Sequence, residues 1–149
     1  MSRLVSGGMI VCLTLSANGF AWGAGLEWPQ WRGPNRDAVS TETGLLKEWS
    51  EGGPRLVWKT NGVGDGFSGL AISGGKIFTL GRKDKKDFLE AFALDGGKSL
   101  WSTRFAEGGD NPTGSPTVDE GLVYAISNGG QLVCCDADSG KIVWEKNFE

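Results

Sequence analysis

From Phe67 to the end of the chain, apolar and polar residues alternate in short runs, and most runs stop at glycine, asparagine, aspartate or serine. Period-two alternation at regular spacing predicts half-buried strands and an all-β fold. The pattern places four strands at about 67–73, 76–82, 87–94 and 98–104, and four more at about 115–118, 121–127, 130–136 and 141–147. Turn chemistry agrees with these breaks. Ser73-Gly74-Gly75 and Glu120-Gly121 tolerate positive φ, Asn128-Gly129 suits a type I′ hairpin, and Gly96-Gly97 closes another.

The two sets of strands are repeats of one unit. Trp58, Trp101 and Trp144 stand 43 residues apart, each closing an apolar run: Arg55-Leu56-Val57-Trp58, Lys98-Ser99-Leu100-Trp101 and Lys141-Ile142-Val143-Trp144. A period of about 40–45 residues matches four short strands with their turns, the unit of a β-propeller blade. Gly75-Lys76-Ile77-Phe78 aligns with Gly121-Leu122-Val123-Tyr124 at an offset of 46, and Ala93-Leu94-Asp95 with Cys134-Cys135-Asp136 at an offset of 41. This alignment assigns a five-residue insertion to the charged tip Arg82–Asp87 and makes the Gly96-Gly97 turn two residues shorter than its counterpart. Residues 55–60 match only the last strand of a unit. The expected fold is therefore an incomplete propeller: two four-stranded antiparallel blades (about 67–104 and 115–147), an orphan strand at 55–60 and an N-terminal strap. Two blades cannot close a ring of four or more, so the chain reads as the N-terminal part of a longer propeller.

Upstream of the repeats the pattern changes. Arg3 precedes an apolar stretch from Met9 to Leu15, too short to span a bilayer, and small residues follow around Gly19-Phe20-Ala21 and Ala21-Trp22-Gly23. Residues 1–23 are read as an export signal, so the protein is expected to be periplasmic or secreted, without a transmembrane span. Residues 24–54 are read as a strap whose Trp28, Trp31 and Trp49 pack on the main body, with one helical turn beginning at 43–46. The partial propeller fills 55–149.

Composition narrows the function. The chain has 149 residues, 25 glycines, no histidine and a formal net charge of −3. Glycine at this level suits tight turns. An acidic balance argues against a nucleic-acid surface, which needs a concentrated basic face. Absence of histidine removes Ser-His-Asp chemistry and His-based zinc sites.

The turn before each tryptophan carries a recognisable motif. Cys134-Cys135-Asp136-Ala137-Asp138-Ser139-Gly140-Lys141-Ile142-Val143-Trp144 resembles the tryptophan-docking repeat of the pyrroloquinoline-quinone-like propeller family, as does Ala93-Leu94-Asp95-Gly96-Gly97-Lys98-Ser99-Leu100-Trp101. Trp28-Pro29-Gln30-Trp31-Arg32-Gly33-Pro34 is similar to the start of exported members. The resemblance implies that Trp58, Trp101 and Trp144 dock blade against blade, with Gly97, Gly140, Asp95 and Asp136 shaping the turns that receive them. It also implies a non-catalytic exported scaffold for binding or assembly, with a protein partner, no catalytic residues and no cofactor. The alternative it carries is part of a quinone-dependent alcohol dehydrogenase, which would hold pyrroloquinoline quinone and calcium. A second alternative is a polymer- or carbohydrate-binding module using Trp28, Trp31 and Trp49.

The remaining candidate chemistry has structural readings. Adjacent Cys134 and Cys135 lie on one strand, where successive side chains point to opposite faces, so two buried thiols are expected rather than a bridge. Asp119-Glu120, Asp136 and Asp138 lack the regular spacing of a calcium loop, and Asp136 with Ser139 is expected to hold the turn. Gly62-Val63-Gly64-Asp65-Gly66 lacks the lysine and helix of a phosphate loop and reads as a connector. The mixed-sign run at 82–87 reads as a solvated tip.

Overall fold

A computed structural model describes residues 27–148, and the expected export signal lies outside them. Two four-stranded antiparallel meanders make up the fold, and no helix is present among the described residues. The first contains β1 (Ala71–Ser73), β2 (Lys76–Lys83), β3 (Lys86–Ala93) and β4 (Ser99–Glu107). The second contains β5 (Thr117–Asp119), β6 (Leu122–Ile126), β7 (Gln131–Asp136) and β8 (Ile142–Asn147).

The turns explain the registers. Gly74 and Gly75 adopt φ of 56° and 72° between the paired Ser73 and Lys76, and Glu120 and Gly121 adopt 45° and 80° between Asp119 and Leu122. Two residues at positive φ match the strand twist of a hairpin. The same geometry closes β2–β3 without glycine, at Asp84 and Lys85 with φ of 50° and 63°. Asn128-Gly129 departs from the expected type I′ turn. Its hairpin has three loop residues: Gly130 N–H donates to Ser127 O, Ser127 N–H to Gln131 O, and only Gly130 takes positive φ, at 84°. A tight turn followed by a left-handed glycine is the next commonest solution for a hairpin, and the third residue is what Asn-Gly alone does not reveal.

Alternation sets the core. Phe78 pairs with Ala91 and Leu80 with Leu89, so these side chains share one face of the first sheet. Val123 pairs with Cys135 and Ala125 with Val133 on the facing side of the second. Together with Phe105 and Ala137 they form one buried cluster between the sheets. Burial of a large apolar side chain contributes about 1.5–3 kcal/mol, so this seam holds the sheets together.

Three expected elements differ. The first strand is shorter than 67–73 because residues 66–70 leave the ladder: Phe67 N–H donates to Pro112 O, and Leu80 N–H turns to the Ser68 hydroxyl. Residues 55–60 form no strand, since a strand needs a ladder partner and none lies beside them among the described residues. No helical turn forms at 43–46, where Gly44 takes φ of 72°.

The strap is anchored at its start. Trp28 and Ile72 exchange two backbone hydrogen bonds, and Pro29 O accepts from Val118 N–H, so one short segment ties the outer edges of β1 and β5. The Trp28 ring lies on Gly33, where a Cβ would approach within 2.8 Å. Trp31 and Trp49 do not pack as expected; they are 66% and 65% exposed. No helix among the described residues is long and apolar enough to cross a membrane.

Candidate functional site

Two joints carry the tryptophan repeat. Trp58 donates its indole N–H to Leu94 O at 3.1 Å, and its ring lies so close to Gly97 that a Cβ there would sit 2.5 Å away. Trp101 repeats this 43 residues later, donating to Ala137 O at 3.2 Å with its ring 2.5 Å from where a Gly140 Cβ would be. Gly97 and Gly140 have φ of 64° and 70°, so glycine serves both the left-handed backbone and the close approach. The second joint gains a hydrogen bond from the Thr103 hydroxyl to Gly140 O at 2.6 Å and a tilted contact between Trp101 and Phe78 at 5.8 Å.

The geometry corrects the alignment of the repeats. Both turns have four loop residues. Ala93 N–H donates to Lys98 O and Gly97 N–H to Ala93 O, as Asp136 N–H does to Lys141 O and Gly140 N–H to Asp136 O. Asp136 therefore occupies the position of Ala93, and Asp95 that of Asp138. The Gly96-Gly97 turn is not shorter, and the β2–β3 hairpin is longer by three residues rather than five: Phe78 pairs with Ala91, and Tyr124 with Cys134. Matching Ala93-Leu94-Asp95 to Cys134-Cys135-Asp136 misled the alignment, because the aspartate equivalent to Asp95 is Asp138, two residues before its glycine as Asp95 is before Gly97.

Each aspartate has its own task. Asp136 Oδ1 accepts from the Ser139 hydroxyl at 2.6 Å and its backbone N–H at 2.8 Å, and these bonds, the hydroxyl first, hold the carboxyl below its usual range. Asp138 pairs with Lys76 at 2.7 Å, joining the second sheet's turn to the first sheet. Asp95 is exposed at its turn. Of the carboxylates considered for calcium, Asp136 and Asp138 are thus engaged elsewhere, and among the described residues no three His, Cys, Asp or Glu side chains converge to hold a metal ion.

Trp144 differs from the other two. It pairs with Cys134 and lies 6.1 Å from Tyr124, is 43% exposed, and no turn receives it among the described residues. Cys134 and Cys135 are free and buried on opposite faces. Burial, then the neighbouring Cys134 and Asp136, pushes the Cys135 thiol up to about 11, which leaves it protonated and inert.

The charged run at 82–87 is not a solvated tip. Only Asp84 and Lys85 form the turn; Arg82 and Asp87 are cross-strand partners at 2.7 Å, and Asp87 is fully buried. Arg82 also donates to the carbonyls of Gly108 and Gly109. Next to it, Glu90 is 2% exposed and accepts from Lys83 and Ser102. Sequence reading missed this network, although alternation through Arg82 and Asp87 would have put both on one sheet face. Two hollows accompany these features. One of about 500 Å³ opens between the sheets beside Arg104, Glu107, Gln131 and Glu145. The other, about 470 Å³, has Trp31 and Phe67 on its walls.

The profile of the family described as outer membrane protein assembly factor BamB matches residues 21–149. No curated protein sequence gives a significant match. Solved structures similar to the chain include BamB from Moraxella catarrhalis, at 22% identity and a TM-score of 0.49 over 60% of this chain and 27% of that one. A europium-containing methanol dehydrogenase is 28% identical, with a TM-score of 0.42 over 52% of this chain and 14% of its own. The quinohemoprotein alcohol dehydrogenase ADHIIG from Pseudomonas putida HK5 is 16% identical, with a TM-score of 0.47 over 62% and 14%. The chain spans little more than a quarter of the first of these structures and about a seventh of the other two. With the profile covering almost all of it and the Trp-on-glycine joint recurring at the repeat spacing, the chain belongs to the family of outer membrane protein assembly factor BamB and contributes two sheets of a PQQ-like repeat β-propeller.

Proposed function

We propose that this chain forms part of an exported, non-catalytic propeller that acts as a binding or assembly scaffold in the cell envelope. The observation that carries this reading is the recurring joint: the repeat tryptophans Trp58 and Trp101 are committed to holding one element on the next through Gly97 and Gly140. Trp144 is the third member of the set, with Asp136 and Asp138 shaping the second turn and Asp95 at the tip of the first. Such joints make a rigid body whose hairpin loops are free to meet partners. The family description as an assembly factor supports a protein partner, and the role needs no cofactor. The test is cross-linking in the intact envelope of the native cell, followed by identification of the linked proteins. Recovery of outer-membrane proteins or their assembly machinery is the expected result. Tight binding of pyrroloquinoline quinone with calcium, together with alcohol-dependent dye reduction by the purified protein, would overturn it in favour of a dehydrogenase.

A second reading has one observation in its favour. Trp31 and Trp49 are largely exposed, and Trp31 shares a hollow with Phe67, an arrangement on which sugar rings can stack. Co-sedimentation with insoluble polysaccharides, lost in Trp31→Ala, would support a polymer-binding module; no retention on any of them would remove it.

A further inference from the structure

The two joints differ at the end away from the indole. At the first, the segment after Trp58 lies tight on the sheet: Asp65 and Arg82 exchange two backbone hydrogen bonds, and Val63 O is so close to Gly81 that a Cβ could not be inserted. Counted from Trp58 and Trp101, Val63 corresponds to Ala106; counted from Phe78 and Tyr124, Gly81 corresponds to Ser127. Ala106 and Ser127 do not close in this way. They line the hollow of about 500 Å³ between the sheets, whose two walls both belong to this pair of sheets and their turns.

Charge differs at the same level. In the first sheet Glu90 is buried and satisfied twice, by the Lys83 ammonium and by the Ser102 hydroxyl across the ladder. In the second, Val133 takes the place of Glu90, and the carboxylate stands on the neighbouring strand as Glu145, at the position of Ser102. Pairing with Val133, a member of the buried cluster, puts Glu145 on the face toward the first sheet, where it lines the hollow. No lysine accompanies it. Counted on from Tyr124, the position of Lys83 falls at Gly129, another lining residue. The Glu145 carboxylate has no ion pair or hydrogen bond among the described residues. Lys146 stands over the Phe148 ring at 5.3 Å, and Arg104 on the other wall pairs with Glu107.

We propose that this hollow receives a lysine side chain of the protein partner, its ammonium on Glu145, so that the partner supplies in trans what Lys83 supplies within the first sheet. The contact rests on the scaffold reading above. Lysine suits the walls: its four-carbon stem lies along Phe105 and Ala106 while the ammonium, with three donors, meets the polar rim at Glu145 and Gln131. The β7–β8 ladder fixes the backbone of Glu145 before the partner arrives, which lowers the ordering cost of the contact.

Zero-length carbodiimide coupling in the native cell envelope tests the contact, because it joins a carboxylate to an amine only where the two touch. A longer amine-to-amine cross-linker, applied in parallel, captures partners wherever they lie. The expected result is an amide between Glu145 and a lysine of a protein that the longer reagent also captures. Gly129→Lys, which places a lysine where Lys83 stands in the first sheet, should abolish that amide without lowering the melting temperature. Glu145→Gln, a second variant on an exposed side chain, should reduce capture by the longer reagent on the order of tenfold, the loss of one charge-assisted hydrogen bond. A partner captured by the longer reagent with no amide at Glu145, an amide that Gly129→Lys leaves unchanged, or capture that Glu145→Gln does not reduce would overturn the contact while the scaffold reading stands. Capture of no protein by either reagent would overturn both.

Discussion

The joint at Gly140 and the joint at Gly97 have the same indole, the same left-handed glycine and the same kind of carbonyl acceptor, yet they differ in what stands behind the tryptophan. Trp101 belongs to β4, is paired with Ala91, touches Phe78 and has Thr103 beside it. Trp58 belongs to a segment with no ladder. Fixing the backbone of one residue costs about 1–2 kcal/mol of conformational entropy, and in β4 the ladder and core offset that cost before the indole is placed. At Trp58 the indole contact must offset most of it. One contact can therefore carry different net stabilities at two places in one chain.

The comparison is most directly broken by paired truncations. Trp101→Ala should destabilise the chain by about 3–5 kcal/mol, the range for deleting a large core side chain. Trp58→Ala should cost about 1 kcal/mol and act mainly on its own segment, because opening there is largely local. Urea denaturation measures the first and amide hydrogen exchange at 56–60 the second; equal costs would refute the difference drawn above. Next in size is Gly140→Ala. Left-handed backbone costs a non-glycine residue about 1–2 kcal/mol, and the clash with Trp101 adds to it, so a loss of about 2–4 kcal/mol is expected. Gly97→Ala should cost less, since the Trp58 segment can lift away.

A third, smaller effect distinguishes the sheets themselves. Glu90 sits where the second sheet has Val133, so the first sheet buries a carboxylate at an apolar position. Lys83→Met should cost about 1–2 kcal/mol by leaving the Glu90 carboxylate with the Ser102 hydroxyl but no cation, a value reduced because Lys83 is partly exposed. The double change Lys83→Met with Glu90→Val should recover that loss in thermal melts. The smallest effect concerns the turns. Hydrogen bonds from Ser139 depress the Asp136 carboxyl, so they favour the folded state above the ordinary aspartate value of about 3.9, and this contribution disappears as pH falls through the folded value. NMR titration of Ser139→Ala should show the Asp136 midpoint moving up.

Much of this molecule was legible because alternation and turn residues agree. Seven of the eight strands lie within two or three residues of where the pattern of Phe67 to Phe148 puts them, and β1 alone is markedly shorter. The misses have local causes. Ser68 imitates a backbone acceptor and takes the Leu80 N–H with its hydroxyl where a longer β1 would have paired, which no periodicity records. Residues 55–60 have strand composition but no ladder partner among the described residues, and pairing is a property of the neighbours. Two aspartates a pair of residues apart, Asp136 and Asp138, offered two alignments, and only the carbonyl accepting each indole N–H decided between them. The glycines at 97 and 140 were readable because a conserved spacing to tryptophan within the one chain repeats. Burial of Asp87 and Glu90 was not, since charged side chains at a hairpin look solvated until the opposite strand supplies partners.

The β2–β3 hairpin ends in a two-residue turn, Asp84-Lys85, beyond strands that already differ in length between the repeats, while the turns that receive tryptophan are identical in size. Length is thus free to vary at one end of each unit without moving the clamp at the other. For protein engineering this makes Asp84-Lys85 a natural graft point: an epitope or reporter peptide placed there would extend away from the sheet and leave the order of the blades untouched.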